Sequence, residues 1–425
     1  MADFMVTSDV EVLVCHPAFF DKIDEFRAQV PKLKTVIGLT EPTEGGGPSI
    51  LGWMTSHKGK RVDIRAADDD LAIIKASGGT TGKPKAILQT HGPLEVFYRM
   101  IDQYSAPETE EPVHLIVGPL THAAAAASFA YAGFAMTNVI AEAKAPGALL
   151  KQMEAEKVSH LFLPPTLIYR LLAHENAATC DLSALEVILY GAAPMSRDKL
   201  GEGMRLWGPV FVQFYGQSEV PGAMTCLSRL DHVTPGDEGE FNHLNSAGRP
   251  TGACEVALMD DDGNFVAPGE RGEIVARGAL VTPGYYNNPE ANAEAHAFGW
   301  HHTGDIGIFD RNGYLHVVDR KKDMIITGGF NVYPKEIEQV IWSHPAVQDC
   351  AVVGAPDPDW GEKVTAVIEL KPGSEATEDD IIDLCKQRLG SIKSPKSVQF
   401  WKELPRSPVG KVLKRDIRTM VAEAI

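Results

Sequence analysis

The sequence predicts an α/β protein: a large N-terminal domain of mostly parallel sheet covered by helices, carrying a small β subdomain, and then an α+β C-terminal domain. Three observations predict it. Between His114 and Phe214, short apolar runs alternate with segments of helical spacing, the pattern of a parallel sheet with helices on its faces. From about Gly236 the chain turns into short β-rich pieces broken by Gly and Pro, such as Gly272-Glu-Ile-Val-Ala-Arg-Gly. Past Arg320 helix and strand patterns mix again over about a hundred residues, enough for a separate domain.

Taken in order, residues 11–14 and 35–38 read as short strands with a helix over 19–29 between them. Pro- and Gly-rich sequence follows at 41–48. Apolar runs at 71–74 and 86–88 read as strands flanking a loop. Leu94, Val96, Phe97 and Ile101 give helical spacing over 92–104. The alternation then runs strand 114–117, helix 123–136, strand 137–140, helix 147–156, strand 160–163, helix 166–174, strand 185–189, helix 196–206 with Ser196 as its cap, and strand 210–214. In such a sheet, ligands bind beyond the carboxyl ends of the strands. Further on, 335–342 and 378–389 read as helices, and 350–353 and 364–370 as strands.

The chain has 425 residues, 44% hydrophobic and 23% charged, and a net charge of −17. That balance suits a soluble protein of two or three domains and disfavours nucleic acid or an anionic membrane as a partner. Cys15, Cys180, Cys226, Cys254, Cys350 and Cys385 are too sparse for a disulfide framework and lack zinc-ligand spacing, so a reducing cytoplasm is the expected location. Residues 1–5 lack the basic and apolar regions of a signal peptide. Residues 115–141 carry no formal charge and are long enough for a membrane span. Pro119, Thr121, His122, Ser128, Thr137 and Asn138 within them instead favour a buried strand, helix and strand.

The run Ser77-Gly78-Gly79-Thr80-Thr81-Gly82-Lys83-Pro84-Lys85 concentrates phosphate donors. Glycines let consecutive backbone N–H groups approach an anion, and hydroxyls and ammonium groups add donors. It is not a Walker A loop. Ser77 stands where that motif has its first glycine, and Pro84 follows the lysine in place of Ser or Thr. The plainer alternative is a surface turn rich in Gly and Thr.

Other segments stand at predicted strand ends. His122 follows the strand 114–117 and precedes the alanine run that starts at Ala123. Gly191-Ala192-Ala193-Pro194 follows the next-to-last strand, where small residues would let a flat ring reach the backbone. Gln213-Phe214-Tyr215-Gly216-Gln217-Ser218-Glu219 ends the last one and offers an aromatic face and a hard oxygen ligand suited to Mg²⁺. Asp305 lies in Trp300-His301-His302-Thr303-Gly304-Asp305. Asp319-Arg320-Lys321-Lys322-Asp323 falls where the texture changes. Gly328-Gly329-Phe330-Asn331-Val332-Tyr333-Pro334 and Pro405-Arg406-Ser407-Pro408-Val409-Gly410-Lys411 follow. Taken singly, each has a bland reading: a turn, a solvated carboxylate, a charged face, a helix entry.

Taken together and in this order, these segments resemble the signatures of the adenylate-forming superfamily, which holds acyl-CoA synthetases, luciferases and the adenylation domains of peptide synthetases. The resemblance implies that Ser77, Gly78, Gly79, Thr80, Thr81, Gly82 and Lys83 hold ATP phosphates. It implies that Gly191, Ala192, Ala193, Gln213, Tyr215 and Gly216 form the adenine pocket, that Ser218 touches phosphate, and that Glu219 binds Mg²⁺. Asp305 and Arg320 would meet the ribose. His122, Ala123, Gly216 and Gln217 would line the acyl pocket. Lys322 would be the hinge of a mobile C-terminal domain, and Gly328 and Gly329 would border the coenzyme A channel. Lys411, with His122 and Thr80, would serve catalysis.

The implied activity is ATP-dependent ligation of a carboxylic acid to coenzyme A through an acyl-adenylate. Small residues near His122 lean towards an aromatic, alicyclic or medium-chain acid. The implied domains are residues 1–319, a hinge at 320–322, and residues 323–425. The partners are then the acid, ATP and coenzyme A, without nucleic acid or a membrane span, and a homodimer is compatible with the chain. Family members carry roughly a hundred residues more before the phosphate loop, so the first portion of the large domain is expected to be absent. Ala86 replaces a glycine common there. Two other readings stay open: adenylation with another acceptor, and a truncated fragment without catalysis.

Overall fold

The computed structural model describes the chain except residues 44–48, 77–84, 122, 144, 237–241, 408–411 and 424–425, and except the side chains of Ala123 and Ala125. It divides into two compact units: Met1–Leu94 with Val281–His296, and Glu95–Leu280 with Ala297–Ile425. The expected hinge, 320–322, lies inside the second unit.

The first unit contains two small sheets. Val12–Cys15 pairs in parallel with Thr35–Gly38. Met5, Phe26 and Val30 pack together in one cluster, and Cys15, Ile23 and Val36 in another. The helix expected over 19–29 begins as a 3-10 turn at Pro17–Lys22 and becomes α-helical only at Ile23–Gln29. The proline at its first position fixes φ for helix entry. Leu71–Ala76 and Ala86–Thr90 pair antiparallel, ending at Ala76↔Ala86. The expected phosphate loop lies between these strands in sequence, and its residues 77–84 are outside the described residues. Gly284–Tyr285 pairs with the other edge of Ala86–Thr90.

In the second unit a seven-stranded sheet runs, in spatial order, Arg249–Pro250, Thr225–Leu227, Phe211–Tyr215, Val187–Gly191, His160–Leu163, Val113–Ile116, Thr137–Ile140. The last five of these are mutually parallel. The chain order reverses between Val113–Ile116 and His160–Leu163, which makes a topological switch point. Residue 122, six positions beyond the end of Val113–Ile116 in sequence, lies outside the described residues. The connecting helices are Ala123–Tyr131, Pro146–Ala155, Pro165–Leu172 and Arg197–Trp207. They cover the sheet around Leu115, Leu149, Leu161, Ile168, Ile188 and Phe211, all fully buried. Ser196 caps the last helix as expected, its hydroxyl accepting from Lys199 N.

The uncharged stretch 115–141 resolves into strand, helix and strand, as expected, but its last strand is the sheet edge and not buried, with Ile140 66% exposed. The helix stops at Tyr131 and a 3-10 turn ends at left-handed Ala135. Among the described residues no helix is long and apolar enough to cross a membrane.

A four-stranded antiparallel sheet follows: Glu255–Met259, Gly272–Arg277, His301–Phe309, Leu315–Arg320. The final sheet is built on the long hairpin of Val347–Asp357 and Gly361–Leu370. Ser397–Trp401 joins it in parallel, and Ile325–Thr327 with Phe330–Val332 completes it. Helices Pro334–Trp342, Glu378–Lys393 and Lys414–Glu423 accompany it. The helix expected to end at 389 does so in substance, because Gly390 leaves helical geometry at φ 80°.

Candidate active site

The site is built where strand ends gather. Gly191 and Phe214 are register partners on adjacent parallel strands, as are Tyr190 and Gln213. The segments 191–193 and 213–216 thus lie side by side at one carboxyl edge. Gly191 is dictated by packing: a Cβ there would sit 2.4 Å from the Phe214 carbonyl oxygen. The next residue, Ala192, is left-handed at φ 63°, a conformation that costs an L-residue energy and clusters at functional sites. Gly216 opens a tight turn in which a Cβ would meet Val220 O at 2.7 Å. Gln217 N donates to Val220 O at 3.0 Å and Met224 N to Tyr215 O at 2.9 Å. That turn presents Ser218 and Glu219 half-buried.

Asp305 is the centre of this site. Taken singly, Thr303-Gly304-Asp305 has the bland reading of a turn; in the structure it is a bulge inside the strand His301–Phe309. Gly304 has φ 71°, and the ladder shifts register between Glu273 and Val275. Thr303 Oγ1 donates to Ile274 O at 2.7 Å and accepts from Asp305 N at 3.1 Å. A bulge re-aims the side chain beside it. The Asp305 carboxylate, 4% exposed, collects three donors. Arg320, directly opposite on the neighbouring strand, brings its Nε within 2.8 Å of Oδ1. Tyr215 OH donates to Oδ2 at 2.7 Å, and Gln217 Nε2 to the same oxygen at 3.1 Å and to Thr303 O at 2.8 Å. Burial, then the charge of Asp305, push the Tyr215 hydroxyl well above the usual phenol range, so it acts as a neutral donor. Tyr215, Gln217, Asp305 and Arg320 thereby form one preorganised polar group.

Glu219 is near enough to be among the carboxylates that raise the Arg320 guanidinium against the opposing effect of burial; Asp305 contributes most. Among the described residues no three His, Cys, Asp or Glu gather as a metal cluster. A single half-buried carboxylate fits Mg²⁺, which keeps waters and takes substrate phosphates with one or two protein oxygens.

Lys322 lies exposed in the one-turn 3-10 helix Lys321–Asp323. Gly328 and Gly329 form the two-residue turn of a hairpin, with φ 56° and 81° and Thr327↔Phe330 as the last pair. That is the backbone a glycine pair favours. A Cβ on Gly328 would also meet the Trp360 ring at 2.8 Å. Ser77 to Lys83, His122 and Lys411 lie outside the described residues, as does the side chain of Ala123.

In the first unit Lys85, just after the phosphate-loop run, sits 4.7 Å from the ring centre of Tyr285, a cation–π contact. Sequence reasoning missed Asp319 and Lys335. Asp319 Oδ1 accepts from Arg320 N at 2.7 Å, and Oδ2 from Lys335 N at 2.8 Å. The Lys335 ammonium donates to the Val317 carbonyl, and burial lowers its pKa. Lysine beside a helix-opening proline was the available signal.

Two family models match: "AMP-binding enzyme" over residues 1–286 and "AMP-binding enzyme C-terminal domain" over residues 336–411. The chain is 40% identical to the medium/long-chain-fatty-acid–CoA ligase FadD8 of Mycobacterium tuberculosis, over 95% of this chain and 71% of that protein. It is 38% identical to a feruloyl-CoA synthase of an Amycolatopsis species, over 84% of this chain and 71% of that one. Among solved structures it resembles the amide bond synthetase McbA of Marinactinospora thermotolerans, with a TM-score of 0.88 and 29% identity, over 99% of this chain and 82% of that one. The chain belongs to the AMP-binding enzyme family.

Proposed function

We propose that this protein is an AMP-forming acyl- or aryl-CoA ligase. The observation that carries the reading is the Asp305 carboxylate, held by Arg320, Tyr215 and Gln217 in a chain whose relatives are CoA ligases. A fixed carboxylate beside a strand-edge backbone is suited to paired ribose hydroxyls, and the small residues at 191–193 to a flat base. In the proposed reaction a substrate carboxylate oxygen attacks the α-phosphorus of ATP. The bond to the bridging oxygen breaks, giving acyl-AMP and pyrophosphate. The thiol of coenzyme A then adds to the acyl carbon, loses its proton, and AMP leaves.

Ser77 to Lys83 would hold the leaving pyrophosphate, and Lys411 would offset charge at the α-phosphate. Glu219 would hold Mg²⁺, which supplies charge neutralisation when bound. His122 and Ala123 would border the acyl group. We assign residues 1–319 and 323–425 to two domains that pivot near Lys322, with Gly328 and Gly329 beside the thiol arm. An aromatic, alicyclic or medium-chain acid fits the small residues near His122, and the relatives named for fatty acid and feruloyl substrates support that range. A cytoplasmic location and a homodimer remain parts of this reading.

A second acceptor class has its own support, because the amide bond synthetase McbA shares the fold. In that reading an amine would replace the thiol after the same adenylation.

The test is pyrophosphate release from MgATP over a panel of carboxylic acids, with coenzyme A, with amines, and with neither. Acid-dependent release coupled to thioester is expected. Release without any acid dependence would end the ligase reading, and coupling only to amines would select the second acceptor. Lys411→Ala should abolish acid-dependent release yet leave thioester formation from ready-made acyl-AMP. Equal loss of both would remove the role given to Lys411.

A further inference from the structure

The carboxylate of Glu273 stands behind the bulge that aims Asp305. Glu273 lies on the strand Gly272–Arg277 and is 9% exposed. It pairs with Ile306, and Val275 pairs with His302, so residues 303–305 stand against Ile274 alone. A bulge leaves its extra backbone groups outside the ladder. Here Gly304 N finds its acceptor in Glu273 Oε1 at 3.0 Å. Gly304 is left-handed, yet a Cβ on it would meet nothing within 4 Å. Packing therefore does not dictate this glycine; the backbone conformation that Glu273 holds does.

The other carboxylate oxygen is engaged as well. Lys321 Nζ and His302 Nδ1 each lie 3.2 Å from Glu273 Oε2. His302 Nε2 faces the Ala297 carbonyl at 3.2 Å, and Lys321 also reaches Asp261 Oδ1 at 2.6 Å. Lys321 follows Arg320, the register partner of Asp305. One buried carboxylate thus grips both halves of the Asp305–Arg320 pair: the bulge before Asp305 and the residue after Arg320. Bonds from a backbone N–H and an ammonium to a carboxylate are charge-assisted and stronger than neutral ones. A binding group is precise only when the groups behind it are fixed in this way.

We propose that Glu273 is a positioning residue for ribose recognition. By fixing the bulge at Gly304 and the strand end at Lys321, it sets the aim of Asp305 and so the preference of the site for a ribonucleotide over its deoxy analogue. This rests on the reading of Asp305 as the partner of the ribose hydroxyls.

The experiment uses the full chain, as wild type and as four variants: Glu273→Leu, Glu273→Gln, Glu273→Asp, and Asp305→Asn as reference. Glu273→Leu leaves Lys321 its contact with Asp261. Dissociation constants of MgATP and of its 2′-deoxy and 3′-deoxy analogues are measured by calorimetry, without acid or coenzyme A, beside thermal melts. Wild type is expected to favour ATP over at least one analogue by about tenfold or more, because a site built for a hydroxyl is left unpaired without it. Glu273→Leu should weaken ATP about tenfold while binding of that analogue changes less than about twofold. The preference then disappears although the Asp305 carboxylate is still present. Glu273→Gln keeps an acceptor within reach of Gly304 N and should recover part of the preference.

Equal loss of affinity for ATP and analogue in a cooperatively melting Glu273→Leu marks a structural defect only. That result, or a wild-type preference in this variant, would overturn the proposal. If Glu273→Leu does not fold, Glu273→Asp decides: its carboxylate keeps the charge but falls one methylene short of Gly304 N, and the preference should drop. Should wild type bind all three nucleotides alike, or Asp305→Asn keep the full preference, the reading of Asp305 falls and takes this inference with it. A preference lost in Asp305→Asn but kept in every Glu273 variant refutes only the positioning role.

Discussion

Arg320 and Asp305 face each other across two antiparallel strands, with Nε 2.8 Å from Oδ1. Tyr215, about ninety residues away in sequence, occupies the other carboxylate oxygen at 2.7 Å. The carboxylate is thus oriented before any ligand arrives. Tyr215→Phe removes one donor while Gln217 remains, so a loss of about 1 kcal/mol is expected, roughly a fivefold rise in ATP KM with kcat nearly unchanged. Arg320→Ala leaves the buried carboxylate without its counter-charge and should cost about 3 kcal/mol or more. Steady-state kinetics over ATP concentration on both variants check the ranking.

Gly191→Ala should destabilise the large sheet. The new Cβ would lie 2.4 Å from Phe214 O, a backbone atom that can move only with its strand. Overpacking of this kind costs about 1–3 kcal/mol. A urea melt of the variant is expected to show a lower midpoint at an unchanged slope.

Two buried histidines set an acid limit. Burial lowers His160 and His232 to about 4 from 6.5. His232 Nε2 faces the Tyr190 hydroxyl at 2.9 Å and Nδ1 faces the Ser228 carbonyl at 2.6 Å, so the neutral ring satisfies both. His160 bonds Ser159 Oγ and the Ser105 carbonyl at 2.8 and 3.1 Å. Because the folded pKa lies below the unfolded one, the unfolded chain takes up protons first as pH falls. Stability is complete above about pH 6.5 and is lost progressively towards pH 4. Each ring contributes about 1.4 kcal/mol per pH unit across that window. Denaturant melts at pH 7, 6 and 5 should show the decline, and His232→Gln should flatten it.

Lys322→Pro tests the pivot. The substitution fixes φ near the helical value, which the 3-10 turn Lys321–Asp323 already requires. Proline there also restricts Lys321 before it, so a thermal melt accompanies the assay, while a rotation through Lys322 is blocked. Pyrophosphate release is expected to survive and thioester formation to fall. An unchanged overall rate would exclude Lys322 as the pivot.

The parallel sheet was legible because its signal is local. Residues 160–163 and 137–140 were read as strands to the residue, and Ser196 as a cap, since apolar runs, spacing and hydroxyl caps act over a few positions. The segments of the site were legible too, as short runs of Gly, aromatic and carboxylate residues. Their partners were not. Nothing near Asp305 in sequence announces Tyr215, and a turn is the bland reading of Gly304 because a bulge and a turn ask for the same backbone. Gly191 was taken as room for a ligand, whereas its nearest obligation is to Phe214. The pairing of Lys414 with Glu338 joins two helices far apart in sequence, and periodicity carries no trace of it.

The third strand of the first unit's small sheet has a consequence for synthesis. Gly284 pairs with Leu88 and Tyr285 with Ile87, so Ala86–Thr90 meets its second neighbour only after about 200 further residues have been made. At ordinary elongation rates that wait is roughly 10–40 s. Until then the strand that pairs with the second edge of Ala86–Thr90 has not been made. By contrast, Val347–Asp357 and Gly361–Leu370 meet across a turn of three residues, so that hairpin can close as soon as it leaves the ribosome.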